Sequence, residues 1–237
     1  MRRPITPHPV HGPLIAPSLL AADFSRLGFE VDRVERAGAK WLHLDIMDGH
    51  FVPNLSFGPE IVKALRKRAR LFFDVHLMCS RPQVLLEPFT RAGADQITVH
   101  VELGDQVMSL LWKIRSLGCK AGLAVNPPTA MKHAEPYLRH IDYLLVMTVN
   151  PGFGGQAFVG ETVPKIQQAD GWRRQSGRSF RVAVDGGITA ETARECARAG
   201  ADTFICGTSV FGHHNLGAAL RRIGRAVNGV GAGSADG

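Results

Sequence analysis

The sequence is short of cysteine. Cys79, Cys119, Cys196 and Cys206 are the only ones in 237 residues, with no CxxC pair and no regular spacing. That counts against a disulfide scaffold. A chain of this length buries a sufficient core without staples, so free thiols in a reducing, cytoplasmic compartment are expected. No run of about 18 apolar residues occurs, so no membrane-spanning segment is expected. No apolar stretch follows Arg2 and Arg3, so a secretory signal is not expected either. No GxGxxG follows the first predicted strand, which disfavours a doubly wound dinucleotide fold. Acidic residues are the minority, 21 against 28 Lys and Arg, for a net charge of +7. The excess is compatible with nucleic acid, an anionic surface, a small anionic substrate or plain solubility. Apolar residues at 45% and charged residues at 21% exclude a disordered chain.

What is present is alternation. Apolar, β-rich runs cover 14–18, 40–46, 70–78, 95–101, 119–125, 141–149, 180–185 and 202–207. Helix-compatible segments follow, among them 24–38, 59–69, 82–93, 105–118 and 190–200. Thr189 suits a helix N-cap, and Gly38, Gly93, Gly118 and Gly200 suit left-handed C-terminal stops. Three segments close on Arg-Ala-Gly just before the next strand (36–38, 91–93, 198–200), a weak internal repeat. Eight β-α units in about 215 residues predict an α/β fold, a (β/α)8 TIM barrel with a closed eight-stranded parallel sheet. The barrel is placed at 14–227, after a proline-rich arm at 1–13 and before a small, polar tail at 228–237.

A strand buried on both faces should be apolar throughout. Several of these break the rule near their C-terminal ends. Alternation puts His43 with Asp45 and Asp74 with His76 on one face each, while Asp185 ends the seventh run and Ser18 the first. In a barrel these ends share one rim, where active sites sit. Singly, His43 or His76 reads as a satisfied structural histidine; the joint pattern points to a shared site. Buried carboxylates must be paired, protonated or bound to a metal, and imidazole with carboxylate suits Zn2+, Fe2+ or Mn2+. Asp74 lies one period deeper and is expected to hold a ligand in place. Glycine-rich loops follow the sixth, seventh and eighth runs: Gly152 to Gly155 with Phe153 among them, Gly186-Gly187, and Gly207-Thr208. Together they suit a phosphate held by backbone N–H groups.

The blocks PSLLAADF (17–24), HLDIMDGHFVPN (43–54), DVHLM (74–78), AGLAVNP (121–127), MTVNPGFGGQ (147–156) and VDGGI (184–188) closely resemble the ribulose-phosphate 3-epimerase family. The resemblance runs from about residue 14 to 226. It implies interconversion of D-ribulose 5-phosphate and D-xylulose 5-phosphate in pentose-phosphate or Calvin-cycle metabolism. It implies one divalent metal ion per subunit (Zn2+, Fe2+, Mn2+ or Co2+) on His43, Asp45, His76 and Asp185, with Asp45 and Asp185 also serving as acid and base. Ser18 matches a substrate-contacting serine, and His76 and Asp185 also face substrate. Gly152, Phe153, Gly154 and Gly155 match a mobile loop; Gly186 and Gly187 match phosphate-binding backbone. Met47, Met78 and Met147 match methionines lining the metal pocket. Gly207-Thr208 departs from the usual Gly-Ser, but Thr208 keeps the hydroxyl and the N–H. The resemblance also implies a homo-oligomer, dimer or hexamer.

Rival readings are an epimerase for a related ketose phosphate such as D-allulose 6-phosphate, and an aldolase or decarboxylase on the same barrel. The latter typically add a lysine beside the carboxylates, where this chain has His43 and His76. KALRKRAR (63–70) raises nucleic-acid binding, but no known motif accompanies it, and a solvated helix face or subunit contact is expected instead. Arg173, Arg174, Arg178 and Arg181 are likewise expected to be exposed. The cysteines are expected to be small core residues, with Cys206 buried.

Overall fold

The computed structural model describes residues 12–230, apart from 178 and 229. Most of the expected arm and tail therefore lies outside the described residues. Eight strands form one parallel sheet: β1 (Leu14–Pro17), β2 (Trp41–Met47), β3 (Phe72–Met78), β4 (Gln96–His100), β5 (Lys120–Val125), β6 (Tyr143–Met147), β7 (Arg181–Asp185) and β8 (Thr203–Cys206). Their order is β1-β8-β7-β6-β5-β4-β3-β2. A parallel bridge between Ser18 and His43 joins the two outer members and closes the barrel. The alternation read from the sequence is thus the architecture.

Around the sheet run α1 (Leu27–Arg36), α2 (Pro59–Arg66), α3 (Leu86–Ala92), α4 (Val107–Ser116), α5 (Val163–Ser176), α6 (Ala190–Arg198), the single turn α7 (Thr208–Phe211) and α8 (Leu216–Asn228). Thr189 caps α6 as its residue type predicts: its side chain accepts from the Glu191 and Thr192 amides, and Thr192 Oγ1 accepts from the Thr189 amide. The four predicted stop glycines all take positive φ, between 80° and 108°. One crossover differs. Between β5 and β6 the chain makes only two short 3-10 turns, Met131–His133 and Glu135–Tyr137. Pro127, Pro128 and Pro136 lie in that segment, and each lacks the amide a helix interior needs.

Side chains alternate between two cores. Leu42, Leu44, Phe73, Val75 and Leu77 face outward onto Val31, Val62, Leu86 and Phe89 of the helices, all fully buried. The first residues of β2, β3 and β6 face inward and floor the barrel. Trp41 stacks on Phe72 with ring centroids 4.0 Å apart, and Tyr143 lies 6.2 Å from Trp41. Above this floor the interior turns polar. All four cysteines are free and buried, as expected.

Two arginines expected at the surface are not there. Arg181 is 7% exposed, and its guanidinium donates to Asp202 Oδ1 at 3.1 Å and to the Gly12 carbonyl at 3.3 Å. Arg173 is half-buried, bonded to Asp170 at 2.6 Å and to Asp202. Asp202, just before β8, draws both side chains inward. Arg174 is exposed as expected, and Arg178 lies outside the described residues. In the basic run, Lys63 pairs with Glu60, Arg66 with Asp95 and Arg68 with Asp32. The Arg66 guanidinium carbon also lies over the Phe73 ring, 3.6 Å from its centroid. The α2 cations are thus largely matched by carboxylates.

Candidate active site

Register sets the height of each polar side chain. Pairing of β2 with β3 puts His43 opposite Asp74, Asp45 opposite His76 and Met47 opposite Met78. Pairing of β6 with β7 puts Met147 opposite Asp185. Inward-facing residues therefore arrive in layers. Across the two rows of His43 and Asp45, His43 Nε2 and His76 Nδ1 lie 3.4 Å apart, and Asp45 Oδ1 is 3.2 Å from the former and 3.1 Å from the latter. Asp185 Oδ2 comes across the barrel to 3.9 Å from His43 Nε2 and 4.0 Å from His76 Nδ1. Ligand atoms of His43, Asp45, His76 and Asp185 all fall within 4.8 Å of one another. The four side chains singled out from strand ends do converge.

Three of the four are held from behind. Ser18 Oγ donates to Asp45 Oδ2 at 2.6 Å. His43 Nδ1 is 2.8 Å from Asp74 Oδ2, so Asp74 stays outside the cluster and orients the ring. Asp74 Oδ1 accepts in turn from Gln96 Nε2 at 2.8 Å and Thr98 Oγ1 at 3.4 Å. His76 Nε2 meets His100 Nε2 at 2.8 Å, and His100 Nδ1 meets Glu102 Oε2 at 3.1 Å. Gln96, Thr98, His100 and Glu102 were not anticipated. A signal existed for three of them, because Gln96, Thr98 and His100 alternate on one face of β4 as His43 and Asp45 do on β2.

The electrostatics separate the two cluster carboxylates. Burial pushes Asp45 up, but hydrogen bonds and charge from His43 and His76 override it and hold it well below the ordinary carboxylate range. Burial and the Asp45 charge push Asp185 up to about 7. Burial pulls the His43 imidazole down, and Asp45 and Asp74 reverse this, leaving it raised. Burial takes His100 down to about 4. Glu102 is pushed up by burial and pulled to about 2 chiefly by its hydrogen bond from His100. Two carboxylates and two imidazoles whose ligand atoms converge suit a divalent ion.

Above the cluster opens a cavity of about 380 Å3. Ser18, Asp45 and Asp185 reach it, and Met47, Met78 and Met147 line it. So do Gly152, Phe153, Gly154, Gly155, Gly186, Gly187, Gly207 and Thr208. Of the site residues singled out, His43, His76 and Asp74 do not line it. Leu20, Val149, Phe158 and Ile188 also line it. As isolated apolar residues they carry no mark in the sequence. The 150–156 loop is anchored at its root, where Asn54 Nδ2 donates to the Gly152 carbonyl at 2.7 Å, while Phe153 is 56% exposed. Gly187 takes φ +64° with the Phe158 backbone packed against it.

The sequence model of the Ribulose-phosphate 3 epimerase family matches residues 14–211. The chain belongs to this family. A ribulose-phosphate 3-epimerase of Treponema pallidum is 44% identical over 197 residues, covering 83% of this chain and 90% of that one. One of Synechocystis is 44% identical over 209 residues, covering 87% and 91%. Among solved structures, 3-hexulose-6-phosphate synthase from Salmonella typhimurium superposes with a TM-score of 0.67 over 92% of this chain and 99% of that one. At 15% identity it shows a shared barrel and nothing about chemistry. The family members are epimerases, and a sugar phosphate is the substrate class that fits. Among the described residues no helix is long and apolar enough to cross a membrane.

Proposed function

We propose that the enzyme interconverts D-ribulose 5-phosphate and D-xylulose 5-phosphate by proton transfer at carbon 3 between Asp45 and Asp185. The carrying observation is that these carboxylates enter one cavity from β2 and β7 and are pushed in opposite directions by their surroundings. Inverting a carbon beside a ketone requires a base on one face and an acid on the other. One of the two carboxylates serves as base while the other, protonated, serves as acid, and the roles exchange in the reverse reaction. A divalent ion (Zn2+, Fe2+, Mn2+ or Co2+) on His43, Asp45, His76 and Asp185 would supply Lewis-acid stabilisation of charge on the substrate oxygens.

The remaining residues bind and shield. Ser18 fixes the Asp45 carboxylate through its 2.6 Å bond and faces the substrate. Met47, Met78 and Met147 present apolar, polarisable surface that excludes water. Backbone N–H groups at Gly186, Gly187, Gly207 and Thr208 receive the phosphate. The segment from Gly152 through Phe153 and Gly154 to Gly155 closes over it. A cytoplasmic setting agrees with four free, buried thiols. Assembly into a dimer or hexamer belongs to the same proposal and is read by light scattering.

Asp45→Asn and Asp185→Asn should each lower turnover of ribulose 5-phosphate by about 10^2-fold or more, with the circular dichroism spectrum unchanged. Near-normal turnover in either would sink the two-carboxylate scheme. Full activity in a verified metal-free sample would remove the metal from it.

A further inference from the structure

A neutral imidazole has one lone pair, and the partner of one ring nitrogen decides where that lone pair sits. The two histidines of the cluster solve this differently. His43 turns Nε2 to the cluster and puts Nδ1 on the Asp74 carboxylate. His76 turns Nδ1 to the cluster, and its Nε2 meets a second imidazole, His100 Nε2, at 2.8 Å. Two ring nitrogens at that distance share one proton. For His76 to ligate through Nδ1, its proton must sit on Nε2, so His100 Nε2 must accept. His100 then carries its own proton on Nδ1, which faces Glu102 Oε2 at 3.1 Å. A carboxylate there can only accept. Its other oxygen, Oε1, is fixed by the Asn126 amide at 2.9 Å.

We propose that Glu102 and His100 are positioning residues that set the His76 tautomer and thereby the capacity of the cluster to take a divalent ion. The inference rests on His43, Asp45, His76 and Asp185 being the metal ligands. Two further observations support it. The path is dry: His76 and His100 are fully buried, their rings meet end-on and near-coplanar, tilted by 22° with centroids 5.0 Å apart, and Phe51 covers His100 at 4.7 Å. The far end is braced: Lys165 Nζ donates to the carbonyls of Asn126, Pro127 and Thr129, holding the loop that offers the Asn126 amide to Glu102. The site thus extends from β3 through β4 to the loop after β5.

The test compares the full-length protein with Glu102→Gln, His100→Phe and His100→Gln. In Glu102→Gln the side-chain oxygen would stay on the Asn126 amide, and the new NH2 would face His100 Nδ1, where an acceptor belongs. His100→Phe removes the acceptor for His76 Nε2–H; His100→Gln returns one as an amide oxygen. The readouts are Zn2+ affinity by chelator competition and the His100 tautomer from 15N ring spectra of the Zn2+-loaded wild type. Expected are an Nδ1–H tautomer, Zn2+ binding about 10–100-fold weaker in Glu102→Gln and His100→Phe, and partial recovery in His100→Gln. An Nε2–H tautomer, or Zn2+ affinity equal to wild type in both weakened variants, would overturn the relay. In that event one Zn2+ per wild-type chain, lost in Asp45→Asn, leaves the metal reading standing. Wild type that takes up no Zn2+ would fell the metal reading and the relay together. If Glu102→Gln fails to fold, the His100 pair decides.

Discussion

Gly187→Ala tests whether the loop after β7 is built around a missing side chain. At φ +64° an alanine sits in the left-handed region. That costs about 1 kcal/mol more than glycine. The added Cβ would lie 2.5 Å from the Phe158 amide nitrogen and 2.7 Å from its Cα. Ordinary heavy-atom contact is about 3.5–4.0 Å, so one of the two backbones must retreat by about 1 Å. Phe158 cannot retreat freely, because the next amide, Val159 N–H, donates to the Thr148 carbonyl at 2.8 Å. Overpacking of this kind costs about 1–3 kcal/mol. The sum is about 2–4 kcal/mol, or a fall in Tm of about 5–15 °C for a chain of this length. Gly171→Ala is the internal control. It lies inside α5 with open space around its Cβ position and no positive φ. There the change should raise stability by about 0.5–1 kcal/mol. Differential scanning calorimetry measures both. A Gly187→Ala midpoint at or above that of wild type would refute the argument from geometry. So would a fall of similar size in both variants, since the chemical change is identical and only the surroundings differ.

Asp48 gives a pH signature. Burial raises it, but the amides of Phe51, His50 and Ser80 and the Ser80 hydroxyl lower it to about 2. A depressed folded-state pKa contributes stability that is complete above the unfolded value of about 3.9 and is lost as pH falls toward 2. Wild type should therefore exceed Asp48→Asn by on the order of 1 kcal/mol at pH 7, with the gap narrowing as pH falls from about 4 towards 2. A gap that stays constant with pH, in urea titrations, counts against the carboxylate. Lys165→Met leaves three carbonyls without their ammonium donor and should cost about 1.5–3 kcal/mol. An unchanged urea midpoint would mean that water satisfies those carbonyls equally well.

The strands were legible because their apolar runs are short and alternate with helical segments, several of which end on a stop glycine. His43, Asp45, His76 and Asp185 were legible because a polar residue inside an apolar strand is costly enough to require a reason. The same logic applied to Gln96, Thr98 and His100, yet a polar row is readable as a site only when its neighbours across the sheet are known. Glu102 lies beyond the end of β4, where alternation ceases, and only the folded backbone brings it back to His100. Arg181 looked like surface charge because its partner, Asp202, is 21 residues further on. Long-range pairing of that kind leaves no local trace. The missing helix after β5 was written in Pro127, Pro128 and Pro136, whose effect is to remove donors rather than to add a pattern.

The aromatic floor has a consequence for traffic. Trp41, Phe72 and Tyr143 stopper the lower end of the channel, and Arg181 is clasped beside them. Among the described residues, what remains is a well that opens at the end lined by the 150–156 loop, through which sugar would enter and its epimer leave. A hydrogen lifted from the sugar onto a wall of that well meets the aromatic floor below it. It either returns to carbon or waits for the doorway to open. Isotopic label carried on that carbon would then act as a turnstile counter, reporting how many times the sugar is inverted and re-inverted before the door lets water in.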